Sequence, residues 1–302
     1  MDAATLASVP DSTSIAHPAD RLLEAIARCG SPVCVGLDPV HERTPAALRA
    51  GDPGPVAAIE RFSLDVIDAV AGIVPCVKPQ SACFERHGSA GVAALERVMA
   101  AARAAGLEII LDAKRGDIGV SAEHYAEAAF SGPADWVTIN AYLGEDGIQP
   151  FLRRQDPPGR GAFALVRTSN PGGDALQRTP LAEGGTVAER VARLVAEIGR
   201  ACVGASGFSA LGAVVGATKP QDAAVLRRLM PQQIFLVPGW GAQGAGAAEI
   251  RPCFDERGRG AIVNASRSVI YAGGDGPDWK DRVRAAATAF AGEVAAVAAS
   301  PR

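Results

Sequence analysis

In the segment LDAKRGDIG, residues 111–119, two acids flank a lysine in the pattern Asp112-x-Lys114-x-x-Asp117. If the segment is extended, alternation puts Asp112 and Lys114 on one face with Ile110, and Ile109, Leu111 and Ala113 on the other. Carboxylate and ammonium then project together. Opposite charges nearby favour the charged amine and offset its desolvation. Lys114 therefore reads as a proton donor and not as a Schiff-base nucleophile, which needs a neutral amine with a depressed pKa. The turn at Gly116 either returns Asp117 to the same space or sends it towards a neighbouring subunit, and strand phase does not choose. A structural ion-pair network is the alternative reading of the segment alone. Asp38 and Lys78, at the ends of two other apolar runs, weigh against it.

These residues must be held by strands. Short apolar runs recur at 32–37, 73–78, 108–114, 135–140, 162–167, 212–217, 234–239 and 260–265, separated by Ala-, Leu-, Glu- and Arg-rich stretches of helical spacing. Near-continuous apolar strands are buried on both faces, as in parallel sheets, and eight strand-helix units in this length fit a closed (β/α)8 TIM barrel, an α/β single domain, better than an open doubly wound sheet. Residues 15–302 form that domain in this reading, with 1–14 a flexible N-terminal arm. Barrel enzymes draw their reactive groups from the C-terminal ends of the strands. Asp38, Lys78, Asp112 with Lys114, Asn140, Thr168 with Ser169, and Thr218 with Lys219 interrupt the apolar pattern there.

The late segment PGWGAQGAG contains G-x-G-x-x-G at Gly239, Gly241 and Gly244. A dinucleotide fingerprint belongs to a first βα unit with an acid ~20 residues on, and Asp255 falls short of that offset. Barrels instead grip phosphate with the loops after strands 7 and 8, through exposed backbone N–H groups. By position, Gln243 and Arg267 are phosphate ligands, Arg267 through a bidentate clamp. His17, His41, His87 and His124 are isolated, with no metal-ligand spacing, so no metal is expected. A G-x-S-x-G nucleophile motif is absent.

With 30 Lys+Arg against 33 Asp+Glu, scattered along 302 residues, the chain carries a formal charge of -3. No electrostatic case exists for nucleic acid or an acidic membrane surface, which leaves a small-molecule partner. Six cysteines without a C-x-x-C pair fit a reduced cytoplasmic protein. No apolar run has the length of a signal-peptide core or a membrane span.

Taken in barrel order, GLDP, VKPQ, DAKRGDIG, TSNPGG, VVGAT, PGWGAQG and NASR make the chain resemble the orotidine 5′-phosphate decarboxylases, most closely the longer bacterial subfamily with DAKRGDIG, over roughly residues 30–275. The resemblance implies a charged tetrad at Lys78, Asp112, Lys114 and Asp117, the last reaching the partner's site in a homodimer with shared active sites. It implies that Asp38 binds the ribose hydroxyls with Lys78. Ser121, where the family usually has Thr, would support the ribose across the interface, Ser169 would face the pyrimidine, and Gln243 and Arg267 would hold the 5′-phosphate. The implied reaction is cofactor-free loss of CO2 from C6 of orotidine 5′-phosphate, giving UMP in pyrimidine biosynthesis, with Lys114 as proton donor to C6. The wider suprafamily includes Mg²⁺-dependent sugar-phosphate enzymes that share D-x-K-x-x-D but carry an acid where Lys78 stands. Lys78 separates the two.

Overall fold

The computed structural model describes residues 17–51, 54–153, 159–241 and 246–300. The expected arm and Gln243 lie outside the described residues. Eight parallel strands close into a barrel in chain order: β1 (Val33–Leu37), β2 (Cys76–Pro79), β3 (Glu108–Arg115), β4 (Trp136–Asn140), β5 (Gly161–Arg167), β6 (Leu211–Val215), β7 (Phe235–Pro238) and β8 (Ala261–Ala265), with helices between them. Each apolar run of the sequence supplies one strand. The second starts later than its apolar run, at Cys76, because Ile73 and Val74 donate to Val70 O and close the end of helix Pro55–Val70.

Alternation explains why both strand faces are apolar. Val35, Val77, Ile109, Val137 and Val263 face outwards into the large cluster formed with the helices. Cys34, Cys76, Ile110, Trp136, Phe163, Leu236 and Ile262 fill the barrel interior. There the rings of Trp136 and Phe163 lie 4.7 Å apart. A Cβ on Gly161 would stand 2.5 Å from the Trp136 ring, and one on Gly212 would stand 2.6 Å from the Phe163 ring. The two glycines make the room that the aromatic pair fills, and a packed interior gives the mouth above it a rigid floor.

Helix Pro18–Cys29 closes the opposite end, placing Ala19 and Leu22 against the interior cluster. At that end Arg21, Arg103 and Arg160 converge on Asp135, which is buried at the start of β4. Neighbouring Glu108 pairs with Arg21 at 3.2 Å. Burial, and then the Asp135 carboxylate, nevertheless push the Glu108 carboxyl up to about 7.

Candidate active site

The strands' C-terminal ends open into a cavity of about 410 Å³. Its walls differ in kind. β1 to β4 contribute Asp38, Lys78, Asp112, Lys114 and Thr138, whereas β5 to β7 contribute Leu165, Val214, Leu236 and Pro238. A charged wall thus faces an apolar one, the arrangement expected where a ligand is oriented by a few placed polar groups.

Asp112 is the hub of the charged wall. Its Oδ2 accepts from Lys78 Nζ at 2.6 Å and Gln80 Nε2 at 3.1 Å. Its Oδ1 accepts from Lys114 Nζ at 2.6 Å and Thr138 Oγ1 at 2.8 Å. Burial alone would raise the Asp112 carboxyl, but the two ammonium groups outweigh it and hold the group well below the usual carboxylate range. Burial would likewise lower Lys78, and the Asp112 and Asp38 carboxylates reverse that and hold it above the ordinary lysine value. Both charges therefore persist through the neutral pH range.

The sequence pattern placed Asp112 and Lys114 on one face, and both side chains do reach the cavity. Regular alternation stops at Asp112, however. Leu111 pairs with Val137 and Arg115 with Ile139, so β3 takes four steps where β4 takes two. The extra residues form a bulge in which Lys114 adopts φ 47°, a non-glycine residue in the left-handed region. Its backbone N–H donates to Thr138 Oγ1 at 2.9 Å. Thr138 thus serves the backbone of Lys114 and the carboxylate of Asp112 at once. Lys114 itself remains about half exposed.

Ser169 and Arg267 also line the cavity, on the rim after β5 and β8. Asp117 and Ser121 do not. Asp117 Oδ1 accepts from the N–H of Ile118 at 2.8 Å, and Ser121 is exposed on helix Gly119–Phe130. Asn140 and Lys219, two of the strand-end residues, also turn away. Asn140 accepts from Tyr142 N, and Lys219 pairs with Asp174 at 2.9 Å.

Lys219 belongs to a network around Arg167, the last residue of β5, which is fully buried. Arg167 pairs with Asp174 at 2.6 Å in the loop after β5 and with Asp222 at 2.8 Å in the helix after β6. It also donates to Gln177 Oε1 at 3.0 Å, which accepts in turn from Thr168 N. The network fixes the start of the loop bearing Thr168, Ser169 and Asn170. Tyr271 does the same for β1: its hydroxyl accepts from Val40 N at 2.8 Å and donates to Asp38 O at 3.1 Å.

Sequence reasoning missed Gln80, Thr138 and Arg167. Each was visible only as a polar residue within or just after an apolar run, a weak signal until the barrel gives the residue a direction. Among the described residues, no cluster of three or more His, Cys, Asp and Glu side chains is arranged to hold a metal, and no helix is long and apolar enough to cross a membrane.

Fold and mouth together define a class: a (β/α)8-barrel enzyme that sets an alternating chain of ammonium and carboxylate groups opposite an apolar wall. Within that class the chain belongs to the orotidine 5′-phosphate decarboxylase / HUMPS family, which it matches over residues 31–281. It is 43% identical over 289 residues to the orotidine 5′-phosphate decarboxylase of Rhodopirellula baltica, covering 89% of this chain and 95% of that one. The Deinococcus radiodurans enzyme of the same name is 43% identical over 244 residues, 80% of this chain and 85% of that one. The solved structure of Leishmania donovani OMP decarboxylase matches with a TM-score of 0.77 at 33% identity, covering 94% of this chain and 99% of that one.

Proposed function

We propose that this chain converts orotidine 5′-phosphate to UMP and CO2, with the whole reaction carried by its own side chains. The observation that carries the reading is the Lys78–Asp112–Lys114 chain, with its central carboxylate saturated by four donors. In the reaction the bond from C6 to the carboxylate carbon breaks, the electron pair stays on C6, CO2 departs, and Lys114 Nζ delivers a proton to C6. Solvent then reprotonates the half-exposed lysine. Before proton transfer the ammonium stabilises the developing carbanion electrostatically, in a site whose dipoles are already oriented. Lys78, locked to Asp112, supports the ribose with Asp38. Ser169 faces the pyrimidine, and Arg267 with Gln243 holds the phosphate. Binding energy from that distant group helps to position the ring.

The same reading makes the enzyme a cytoplasmic homodimer. Ile118, Val120, Tyr142 and Leu143 are exposed around Asp117, forming an apolar surface of the kind that protein interfaces bury. Pairing through it would carry Asp117 and Ser121 into the partner's cavity. The test is an ultraviolet assay of orotidine 5′-phosphate consumption with and without chelator. Equal rates that depend on Lys114, and are abolished in Lys114→Ala while UMP still binds, are expected. Metal-dependent release of a sugar-phosphate product, or substantial turnover by Lys114→Ala, would overturn the reading.

A further inference from the structure

Asn264 is 6% exposed near the end of β8, between Cys34 of β1 and Pro238 of β7, and it lines the cavity. A polar side chain in an otherwise apolar strand needs partners when it is buried. Its Nδ2 donates to Ser266 Oγ at 3.4 Å, but its Oδ1 is out of solvent and without a partner among the described residues. Asp38 presents a second such atom in the same cavity: its Oδ1 is also buried and unpaired among the described residues.

The two lie on one wall. A Cβ on Gly36 would stand 3.3 Å from Asn264 Oδ1, so the amide reaches across the bare backbone of β1. Two residues further on, by strand alternation, the same face of β1 carries Asp38. A Cβ at position 36 would also stand 1.9 Å from Ser266 Oγ. Glycine is therefore what lets the polar end of β8 lean against the Asp38 strand.

What fits two buried, unpaired acceptors lining one cavity is a donor-bearing ligand. The amide orientation narrows this further. With oxygen and nitrogen exchanged, Ser266 would donate to the amide oxygen and the amine would be left unpaired. A hydroxyl satisfies either arrangement of the amide, because it both donates and accepts; having one hydrogen, it donates to one acceptor at a time, so the acceptor-only carboxylate of Asp38 takes the second hydroxyl of a vicinal pair. A carbonyl or an ammonium would satisfy only one arrangement. We infer that Asn264 is a substrate-binding residue that takes a ribose hydroxyl of the nucleotide, beside Asp38. The inference rests on the nucleotide reading above and deepens it.

The test measures by calorimetry the affinities of UMP, 2′-deoxy-UMP and 3′-deoxy-UMP for the wild type, Asn264→Ala and Asn264→Ser. In the wild type, removing the hydroxyl that Asn264 holds weakens binding. In Asn264→Ala that penalty should shrink about tenfold for one deoxy analogue and stay unchanged for the other, the coupling expected of one lost hydrogen bond. Asn264→Ser, which is too short to reach, should behave alike and guards against misfolding of the alanine variant. A purely structural role would instead lower the melting temperature of the free protein and leave both penalties intact. Unchanged penalties in a folded variant would overturn the assignment of Asn264 alone. A wild type that neither binds UMP nor consumes orotidine 5′-phosphate would overturn it together with the functional reading.

Discussion

Replacing Asp112 by asparagine keeps the shape of the hub and removes its charge. Each carboxylate oxygen accepts from two donors, one of them an ammonium at 2.6 Å. An amide retains one acceptor oxygen, so its NH2 must face two donors whichever way it turns. Lys78, 5% exposed, then keeps only Asp38 as a nearby counter-charge. Removing one partner of a buried pair costs about 3–5 kcal/mol. Lys114 is half exposed and its share is screened, which favours the lower end, about 3 kcal/mol. At about 2–4 °C per kcal/mol for a large domain, the melting temperature at pH 7 should fall by about 6–12 °C. Turnover should fall about 100-fold or more, as expected when a preorganised electrostatic group is lost. Adding Lys78→Met removes the stranded charge and fills its volume, so the double variant should recover at least about half of the lost stability while remaining inactive. Calorimetry of the wild type, both single variants and the double variant, with the ultraviolet assay on each, checks the argument. A melting temperature for Asp112→Asn within about 2 °C of the wild type would refute it, since the hub would then be carrying little of Lys78's burial.

Mixing inactive Lys114→Ala and Asp117→Ala chains should restore measurable activity through hybrid dimers with one intact site; no recovery despite demonstrated subunit exchange would exclude a site shared between subunits. Glu108, with its carboxyl pushed up to about 7, favours the protonated folded state, so its contribution to stability is present at low pH and lost as pH rises through 7. Glu108→Gln should therefore gain on the wild type by about 2 kcal/mol between pH 5 and pH 8, read from melting curves, and a gain in the opposite direction would show that the Arg21 pair dominates. Arg167→Met severs the links from β5 to Asp174, Asp222 and Gln177. It should raise KM for orotidine 5′-phosphate about tenfold through misplacement of Ser169, and steady-state kinetics with an unchanged KM would count against that positioning role.

The barrel was legible because its physics is repetitive. Eight two-sided apolar strands each announce themselves, and polar interruptions such as Asp38, Lys78 and Asp112 mark the end that faces ligand. The bulge was not legible. Alternation treats Lys114 as the next regular position after Asp112, whereas the register against β4 slips there, a property of two strands together. Thr138 and Asn264 were missed for a related reason: a lone polar residue in an apolar run has no assigned role until closure of the barrel puts it beside Asp112 or Asp38. Arg167 shows no role in the sequence, where it merely closes an apolar run, and only the fold shows its side chain in a network between loops.

The left-handed backbone at Lys114 has a bearing on descent. A side chain held at φ 47° costs about 1–2 kcal/mol relative to glycine, and the half-exposed ion pair with Asp112 offsets only part of that, so folding gives little reason to keep lysine at that position. Asp112, two residues earlier, is in the opposite situation, because its loss would strand a buried ammonium. Drift in a lineage released from its reaction should therefore erase the two unequally, with position 114 passing to glycine or asparagine while Lys78 and Asp112 persist as a relic of the pair. A relative with that combination would be a barrel that outlived its chemistry, and its sequence would show it at one residue.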